Sequence, residues 1–138
     1  KTQLSKQNFQ KYNFEKYKEK SMTDAIVEIR DYTIDPKSFE AYKVWAEELA
    51  VPWLKANLNI IDFWVDCDLE AEVAGTAPKV SPNGQPNVTW IIRWESKAVR
   101  EEQFAATMGT AAWQEIWAKH PCPNGYLHMN ARFMRAAG

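Results

Sequence analysis

The stretch IVEIRDYTIDP, residues 26–36, places a β-strand directly before a helix. Residues 26–33 are rich in β-branched side chains and alternate with a period of two, which predicts the first strand. Asp35 then supplies a helix N-cap, and Pro36 suits the first helical position because a proline there loses no hydrogen bond. A strand that leads into a helix is the first half of a β-α-β unit.

The remainder of the chain repeats this order of elements. Hydrophobic periodicity predicts five more: a helix over about 36–57, strands over 59–67 and 87–95, a helix over about 97–119 and a strand over 126–134. Residues 68–86, rich in glycine and proline, form a long connecting loop. We therefore predict an α+β, ferredoxin-like βαββαβ fold, in which two helices cover one face of a four-stranded antiparallel sheet.

Apolar stripes at helical spacing mark the buried side of each predicted helix. The stripe of the first helix comprises Phe39, Tyr42, Ala46, Leu49 and Trp53, and that of the second comprises Phe104, Met108, Ala112 and Ile116, widened by Trp113 and Trp117. Pro52 is expected to kink the first helix, because proline cannot donate a backbone hydrogen bond.

Each predicted strand has one apolar face, which we expect to lie under the helices. These faces comprise Val27 and Ile29; Ile61, Phe63 and Val65; Val88, Trp90, Ile92 and Trp94; and Leu127, Met129, Ala131 and Phe133. The opposite face mixes charged and aromatic residues, including Glu28, Arg30, Tyr32, Trp64, Arg93, His128, Asn130 and Arg132. That face is too apolar to be left in water, so we predict a homodimer whose two sheets pair face to face as a dimeric α+β barrel.

Composition limits the classes of function. The chain has 138 residues and a net charge of −1, and it has no apolar run long enough to span a membrane. Residues 1–21 hold six lysines against two glutamates, so we predict a basic arm or leader over 1–21 and one domain over 22–138. The arm alone is weak support for nucleic-acid binding, which we do not expect.

The cysteines and the missing motifs narrow these classes further. Cys67 and Cys122 do not form a CxxC pair, which indicates reduced thiols in a cytoplasmic protein. The sequence also lacks a P-loop, GxGxxG, GxSxG and HExxH. Nucleotide hydrolysis, Rossmann redox chemistry and zinc catalysis are therefore disfavoured.

Several segments resemble NIPSNAP-family domains. The segments are IVEIRDYTIDPKSFEAY, NVTWIIRWES with its Arg93-Trp94-Glu95-Ser96 tetrad, AWQEIWAKHP with its Trp-Gln pair, and ARFMRAAG. The resemblance covers about 24–138. It implies a ferredoxin-like dimeric α+β barrel, in a superfamily that also holds cofactor-independent monooxygenases, polyketide cyclases, lyases and haem-handling enzymes. The family has no shared catalytic motif that could be carried over.

The mixed sheet face supplies the candidate site residues. We predict that His128, with Glu28 or Arg30 as its neighbour on the adjacent strand, acts as a general base. Arg30 or Arg93 would stabilise an oxyanion. Tyr32 and Trp64 would hold the ligand, together with Glu28, Asn130 and Arg132. The alternative for each of these residues is a hydrogen bond, an ion pair or packing within a dimer interface.

Two functions are consistent with these residues. One is a cofactor-independent enzyme of the monooxygenase, cyclase or lyase type, acting by acid/base chemistry on a small apolar or aromatic oxygenated molecule. The other is a non-catalytic small-molecule-binding or protein-interaction module. No cofactor is expected. His120, at the end of the second helix, is expected to cap the helix, and haem ligation by His120 is the alternative.

Overall fold

The structure is a computed structural model that describes residues 24–138. Its strands are β1 (Ile26–Ile34), β2 (Ile60–Val65), β3 (Val88–Trp94) and β4 (Tyr126–Met134), and its helices are α1 (Phe39–Trp45), α2 (Val51–Asn57), α3 (Lys97–Met108) and α4 (Ala111–Ala118). The sheet is antiparallel with the order β2-β3-β1-β4. The predicted ferredoxin-like α+β fold is confirmed, whereas the predicted arm over 1–21 lies outside the described residues.

The first helical region contains the expected interruption. The Asp35 carboxylate accepts a hydrogen bond from the Lys37 backbone and caps a short 3₁₀ turn over Pro36–Ser38. Between α1 and α2, Ala46–Ala50 form a π-helical turn, in which the backbone N–H of Val51 donates to the carbonyl of Ala46. Pro52 follows at once, and because it has no N–H, the helix cannot keep regular α-helical bonding here.

The π-helical turn moves the buried stripe by one residue. The predicted positions Leu49 and Trp53 are only partly buried, whereas Ala50 and Leu54 are 1% and 3% exposed. The stripe before the turn keeps its predicted place, since Tyr42 and Ala46 are buried. One extra residue in a helix rotates everything after it by about 100°, which explains the change.

The second predicted helix is broken into α3 and α4. Ser96 caps α3 by accepting a hydrogen bond from the Val99 backbone, as its N-cap position predicts. The chain then turns at Gly109, and the Thr110 hydroxyl caps α4 by accepting from the Trp113 backbone. The continuous helix over 97–119 is therefore wrong, because Gly109 and Thr110 end one helix and start the next.

Strand pairing corrects the predicted faces of β1. Glu28, Arg30 and Tyr32 lie opposite Ile92, Trp90 and Val88, respectively, on β3. These three β3 residues are buried beneath the helices, so Glu28, Arg30 and Tyr32 lie on the helix-facing side. Val27 and Ile29, which were predicted there, lie on the other side. The prediction is wrong because it assigned charged residues to the face away from the helices, although buried charges are stable when paired.

The side of the sheet away from the helices, which we call the open face, is partly apolar in the described residues. Val27, Ile29 and Ile91 are half-buried, and Trp64 is 44% exposed. Four residues predicted under the helices are instead exposed, namely Ile61, Leu127, Met129 and Phe133. Ile61 and Leu127 each lie close to an irregularity in strand pairing, which disturbs the simple alternation of side chains.

Two further observations concern the described part of the chain. No helix in residues 24–138 is both long and apolar enough to cross a membrane. Cys67 is exposed, Cys122 is buried, and both thiols are free. The cytoplasmic location of the protein stays a prediction.

Candidate functional site

A cavity of about 540 Å³ lies between the helix-facing side of the sheet and the helices. The sheet and the residues next to it contribute Arg30, Tyr32, Phe63, Trp90, Tyr126 and Met129. The helices contribute mainly Trp45, Leu54, Phe104, Met108, Trp113 and Trp117, with Gln114 among them. This volume is within the range of small-molecule sites, and the predominance of aromatic walls with few polar groups is typical of such sites.

A buried charge cluster adjoins the cavity around Glu28, whose side chain is inaccessible to solvent. One carboxylate oxygen accepts from Arg30 Nη1 at 2.7 Å and from Arg100 Nη2 at 2.9 Å. The other accepts from Arg100 Nε at 2.9 Å and from Trp94 Nε1 at 3.0 Å. Both oxygens are thus engaged twice, which is what a buried carboxylate requires.

The arginines keep Glu28 ionised. Burial alone would raise the pKa of Glu28, but the hydrogen bonds and charges of Arg100 and Arg30 outweigh burial and hold this pKa below its usual range. The carboxylate is therefore a fixed anchor for both guanidinium groups. It has no acceptor capacity left for a ligand, so its role in the site is to position Arg30.

Arg30 is the member of this charge cluster that lines the cavity. Its Nε donates to the Tyr32 hydroxyl at 2.7 Å, and Trp90 Nε1 donates to the same hydroxyl at 3.0 Å. The guanidinium also lies over the ring of Phe104, 5.1 Å from its centroid. Arg30 Nη2 has no hydrogen-bond partner within residues 24–138. Because no buried side-chain nitrogen or oxygen there lacks a partner, Nη2 is not completely buried.

The predicted site residues separate onto the two faces of the sheet. Glu28, Arg30 and Tyr32 lie together under the helices. His128 is exposed and lies opposite Thr33, on the open face, so the predicted contact with Glu28 or Arg30 is wrong. The reason is the corrected face of β1: His128 cannot meet side chains that project from the other side of the sheet.

The remaining predicted residues also lie on the open face. Asn130 is exposed opposite Asp31, and Arg132 Nε lies 3.5 Å from the carboxylate of Asp31. Arg93 is exposed and borders a smaller cavity of about 280 Å³, separate from the main one. Trp64 lies on this face as well. These four residues therefore do not line the cavity under the helices.

His120 takes a different role from the predicted helix cap. Its Nε2 pairs with the Tyr126 hydroxyl at 2.8 Å, and its Nδ1 accepts from the backbone of Cys122 at 2.9 Å. Burial lowers the pKa of His120 to about 4. Because both ring nitrogens are engaged, the imidazole does not offer a nitrogen to a haem iron. Among residues 24–138, moreover, no three His, Cys, Asp or Glu side chains are grouped as metal ligands.

Sequence reasoning missed Arg100 and the polar role of Trp90. Arg100 lies four residues before Phe104 and eight before Met108, so it continues the predicted buried stripe by one turn. That spacing could have placed it over the sheet. Gln114 was noted only as part of the Trp-Gln pair; its side-chain amide donates to the carbonyl of Met108 and so ties α4 to the end of α3.

The element order and the sheet define the class of the protein, a ferredoxin-like α+β domain. Within this class the fold is NIPSNAP-like. A NIPSNAP-like domain protein from Burkholderia xenovorans aligns with a TM-score of 0.61 at 16% identity, over 83% of this chain and 86% of that chain. A NIPSNAP family protein from Agrobacterium tumefaciens aligns with a TM-score of 0.62 at 18% identity, over 82% and 86%.

A more distant likeness is to a putative antibiotic biosynthesis monooxygenase from Bacteroides thetaiotaomicron, with a TM-score of 0.50 and 10% identity over 83% of this chain and 90% of that chain. No protein-family model and no curated protein matches the sequence. The predicted resemblance to NIPSNAP domains is confirmed at the level of the fold. At these identities function has to be argued from the cavity itself.

Proposed function

We propose that this domain binds a small, largely aromatic, oxygen-bearing molecule in the cavity between the sheet and the helices. The observation that carries the proposal is the cavity itself, which is lined mainly by aromatic side chains and has one charged lining residue, Arg30. Aromatic walls contribute apolar contact area, and a single polar end orients the ligand. The binding needs only side chains of this chain and no cofactor.

Binding is favoured over acid/base catalysis by the chemistry of the lining. Within the described residues, no histidine, carboxylate, lysine or cysteine lines the cavity. His128, the predicted base, lies on the other face of the sheet. A proton abstraction in the cavity would therefore have no conventional base, whereas reversible binding requires none.

The test uses two naphthyl probes of nearly the same shape, 2-naphthoate and 2-naphthamide, followed by isothermal titration calorimetry. We expect at least one probe to bind with one site per chain. Met129→Trp should abolish this binding, because Met129 lines the cavity and a larger side chain there fills it. Since Met129 is 50% exposed, the substitution should not unfold the domain.

The matched control is Met134→Trp. Met134 lies on the same strand and is also 50% exposed, but it is opposite Val27 on the other face of the sheet. This variant should bind the probes as the unmodified chain does. Failure of both probes to bind at millimolar concentration, or equal losses in the two variants, would overturn the proposal.

We also propose that the open face pairs with a second copy of this chain. Support comes from Trp64, Ile29 and Ile91, which give this face an apolar centre, and from Asp31 and Arg132, which give it charges of both signs. A surface with both signs is suited to a two-fold interface, where each patch meets its own copy. The cavity lies on the far side of the sheet, so pairing leaves it accessible.

Sedimentation velocity measures this pairing directly. Trp64→Glu should convert dimers to monomers, because it places a charge in the apolar centre of the interface. Leu69→Glu is the matched control, since Leu69 is 78% exposed in the loop after β2 and should leave the dimer intact. A monomeric unmodified protein at high concentration would contradict the proposal.

A further inference from the structure

The polar end of the cavity offers donors to a ligand. The Tyr32 hydroxyl already accepts two hydrogen bonds, from Arg30 Nε and Trp90 Nε1, so its two lone pairs are occupied and its own proton remains to be donated. Arg30 Nη2 carries only donors, is not completely buried, and belongs to a residue that lines the cavity. Arg30 and Tyr32 both line the cavity, and it is Arg30 Nε that donates to the Tyr32 hydroxyl, at 2.7 Å, so Nη2 is not used in this bond.

From this arrangement we infer that the bound molecule presents an anionic oxygen, a carboxylate or a phenolate-type oxygen, to Arg30 Nη2 and the Tyr32 O–H group. The inference rests on the proposed binding function and specifies the chemical class of the ligand. A neutral amide offers only one acceptor and would bring its own N–H donors against protein donors. An oxyanion is acceptor-only and matches the site completely.

The charges around the site favour the same ligand. Glu28 is the carboxylate that bonds Arg30, and it is shared with Arg100, so one negative group faces two guanidinium groups. Glu101, which also lies near Arg100, is half exposed and pairs with Lys97 as well. The buried cluster therefore keeps an excess of positive charge, and a ligand anion next to Arg30 would balance it.

Glu28 and Trp90 are positioning residues in this scheme. Glu28 anchors Arg30 through Nη1, which leaves Nη2 for the ligand. Trp90 donates to the Tyr32 oxygen and thereby occupies one of its lone pairs, which leaves the hydroxyl proton to be donated. The two donors are thus oriented before the ligand arrives, and pre-oriented donors lose little conformational entropy on binding.

Calorimetry with the two naphthyl probes tests the charge preference. We expect 2-naphthoate to bind at least tenfold more tightly than 2-naphthamide, because hydrogen bonds to charged groups are the stronger ones. Arg30→Met should remove this preference by weakening naphthoate binding, and Tyr32→Phe should reduce it by several-fold. Arg93→Met, which removes an exposed guanidinium outside the main cavity, should change nothing.

A second arm uses 4-nitrophenol, whose ionised form absorbs at a longer wavelength than the neutral phenol. The protein should lower the pKa of the bound phenol, and Tyr32→Phe and Arg30→Met should reverse this shift. A structural defect alone would weaken binding without moving the ligand's titration. This arm also separates the two sources of the oxyanion, because a carboxylate-specific site prefers 2-naphthoate and leaves the titration of 4-nitrophenol unchanged.

The outcomes distinguish the two proposals. Equal affinity for 2-naphthoate and 2-naphthamide, with no shift in the titration of 4-nitrophenol, overturns the oxyanion inference while the binding function stands. No binding of any probe removes the binding function, and the inference falls with it. If Arg30→Met does not fold, the Tyr32→Phe variant decides, since it keeps the ring that packs against Tyr126 at a centroid distance of 5.2 Å.

Discussion

Both faces of the sheet carry an acidic residue paired with an arginine, but the two pairs differ in burial and in hydrogen bonding. Under the helices, Glu28 and Arg30 are held by hydrogen bonds of 2.7–3.0 Å; the Glu28 side chain is inaccessible to solvent and that of Arg30 is 13% exposed. On the open face, Asp31 and Arg132 lie 3.5 Å apart, and the arginine is more than half exposed. The same charge types thus form a tightly hydrogen-bonded cluster on one side and a longer ion pair with an exposed arginine on the other. What separates them is a shift of one residue along the strand.

The largest expected effect comes from comparing two variants, each of which neutralises one acidic residue on one face of the sheet. Glu28→Gln should lower the free energy of unfolding by roughly 3–5 kcal/mol, because it leaves Arg30 without a counter-charge and Arg100 with only the half-exposed Glu101. Asp31 is three positions after Glu28 on β1 and lies on the other face. Asp31→Asn should lower the free energy of unfolding by less than about 1 kcal/mol. Urea denaturation measures both values. Equal losses would mean that the two faces do not differ as described.

A second test concerns the two histidines. Because burial lowers the pKa of His120 to about 4 from 6.5, the unfolded chain binds more protons between these values. Stability should therefore be full above pH 6.5 and should fall as the pH drops. At pH 5 the loss from His120 is about 2 kcal/mol relative to pH 7.5. His120→Phe should flatten this dependence, and His128→Gln, at an exposed position, should keep it.

The smallest test uses neighbours on β2. Phe63 stacks on Trp90 with ring centroids 5.6 Å apart, so Phe63→Ala should lower the free energy of unfolding by about 1.5 kcal/mol at any protein concentration. Trp64 projects from the opposite face, and Trp64→Ala should act mainly on pairing. We expect the Tm of Trp64→Ala to lose its dependence on protein concentration. If the loss of stability in Phe63→Ala depended on protein concentration instead, Phe63 rather than Trp64 would lie on the open face.

Much of the fold could be predicted from local sequence patterns. The four strands have a local signal, alternation bounded by turn residues, and their predicted ends agree with the structure to within one or two residues. Capping by Asp35 and Ser96 was predictable for the same reason. The break at Gly109 had a local signal too, which the continuous apolar stripe through Met108 and Ala112 concealed.

The site could not be predicted in the same way, because its partners are distant in sequence. Glu28 and Arg30 read as surface residues until Arg100, 72 positions after Glu28, supplies the second guanidinium. Strand alternation gives two faces but does not say which one the helices cover. Ile26 and Ile34 lie on the same face of β1 as Glu28 and are buried. These two apolar residues could have indicated from the sequence that the helices cover this face.

The π-helical turn has a consequence for the empty volume of the protein. In an unbroken α-helix, Leu49 and Trp53 would occupy the positions that Ala50 and Leu54 now take toward the sheet. The methyl group of Ala50 would then be replaced by the isobutyl group of Leu49, and the isobutyl group of Leu54 by the indole of Trp53. The one additional residue of the π-helical turn thus helps to set the volume of the cavity. Deleting that residue would place larger side chains of the protein in the space that a ligand would occupy.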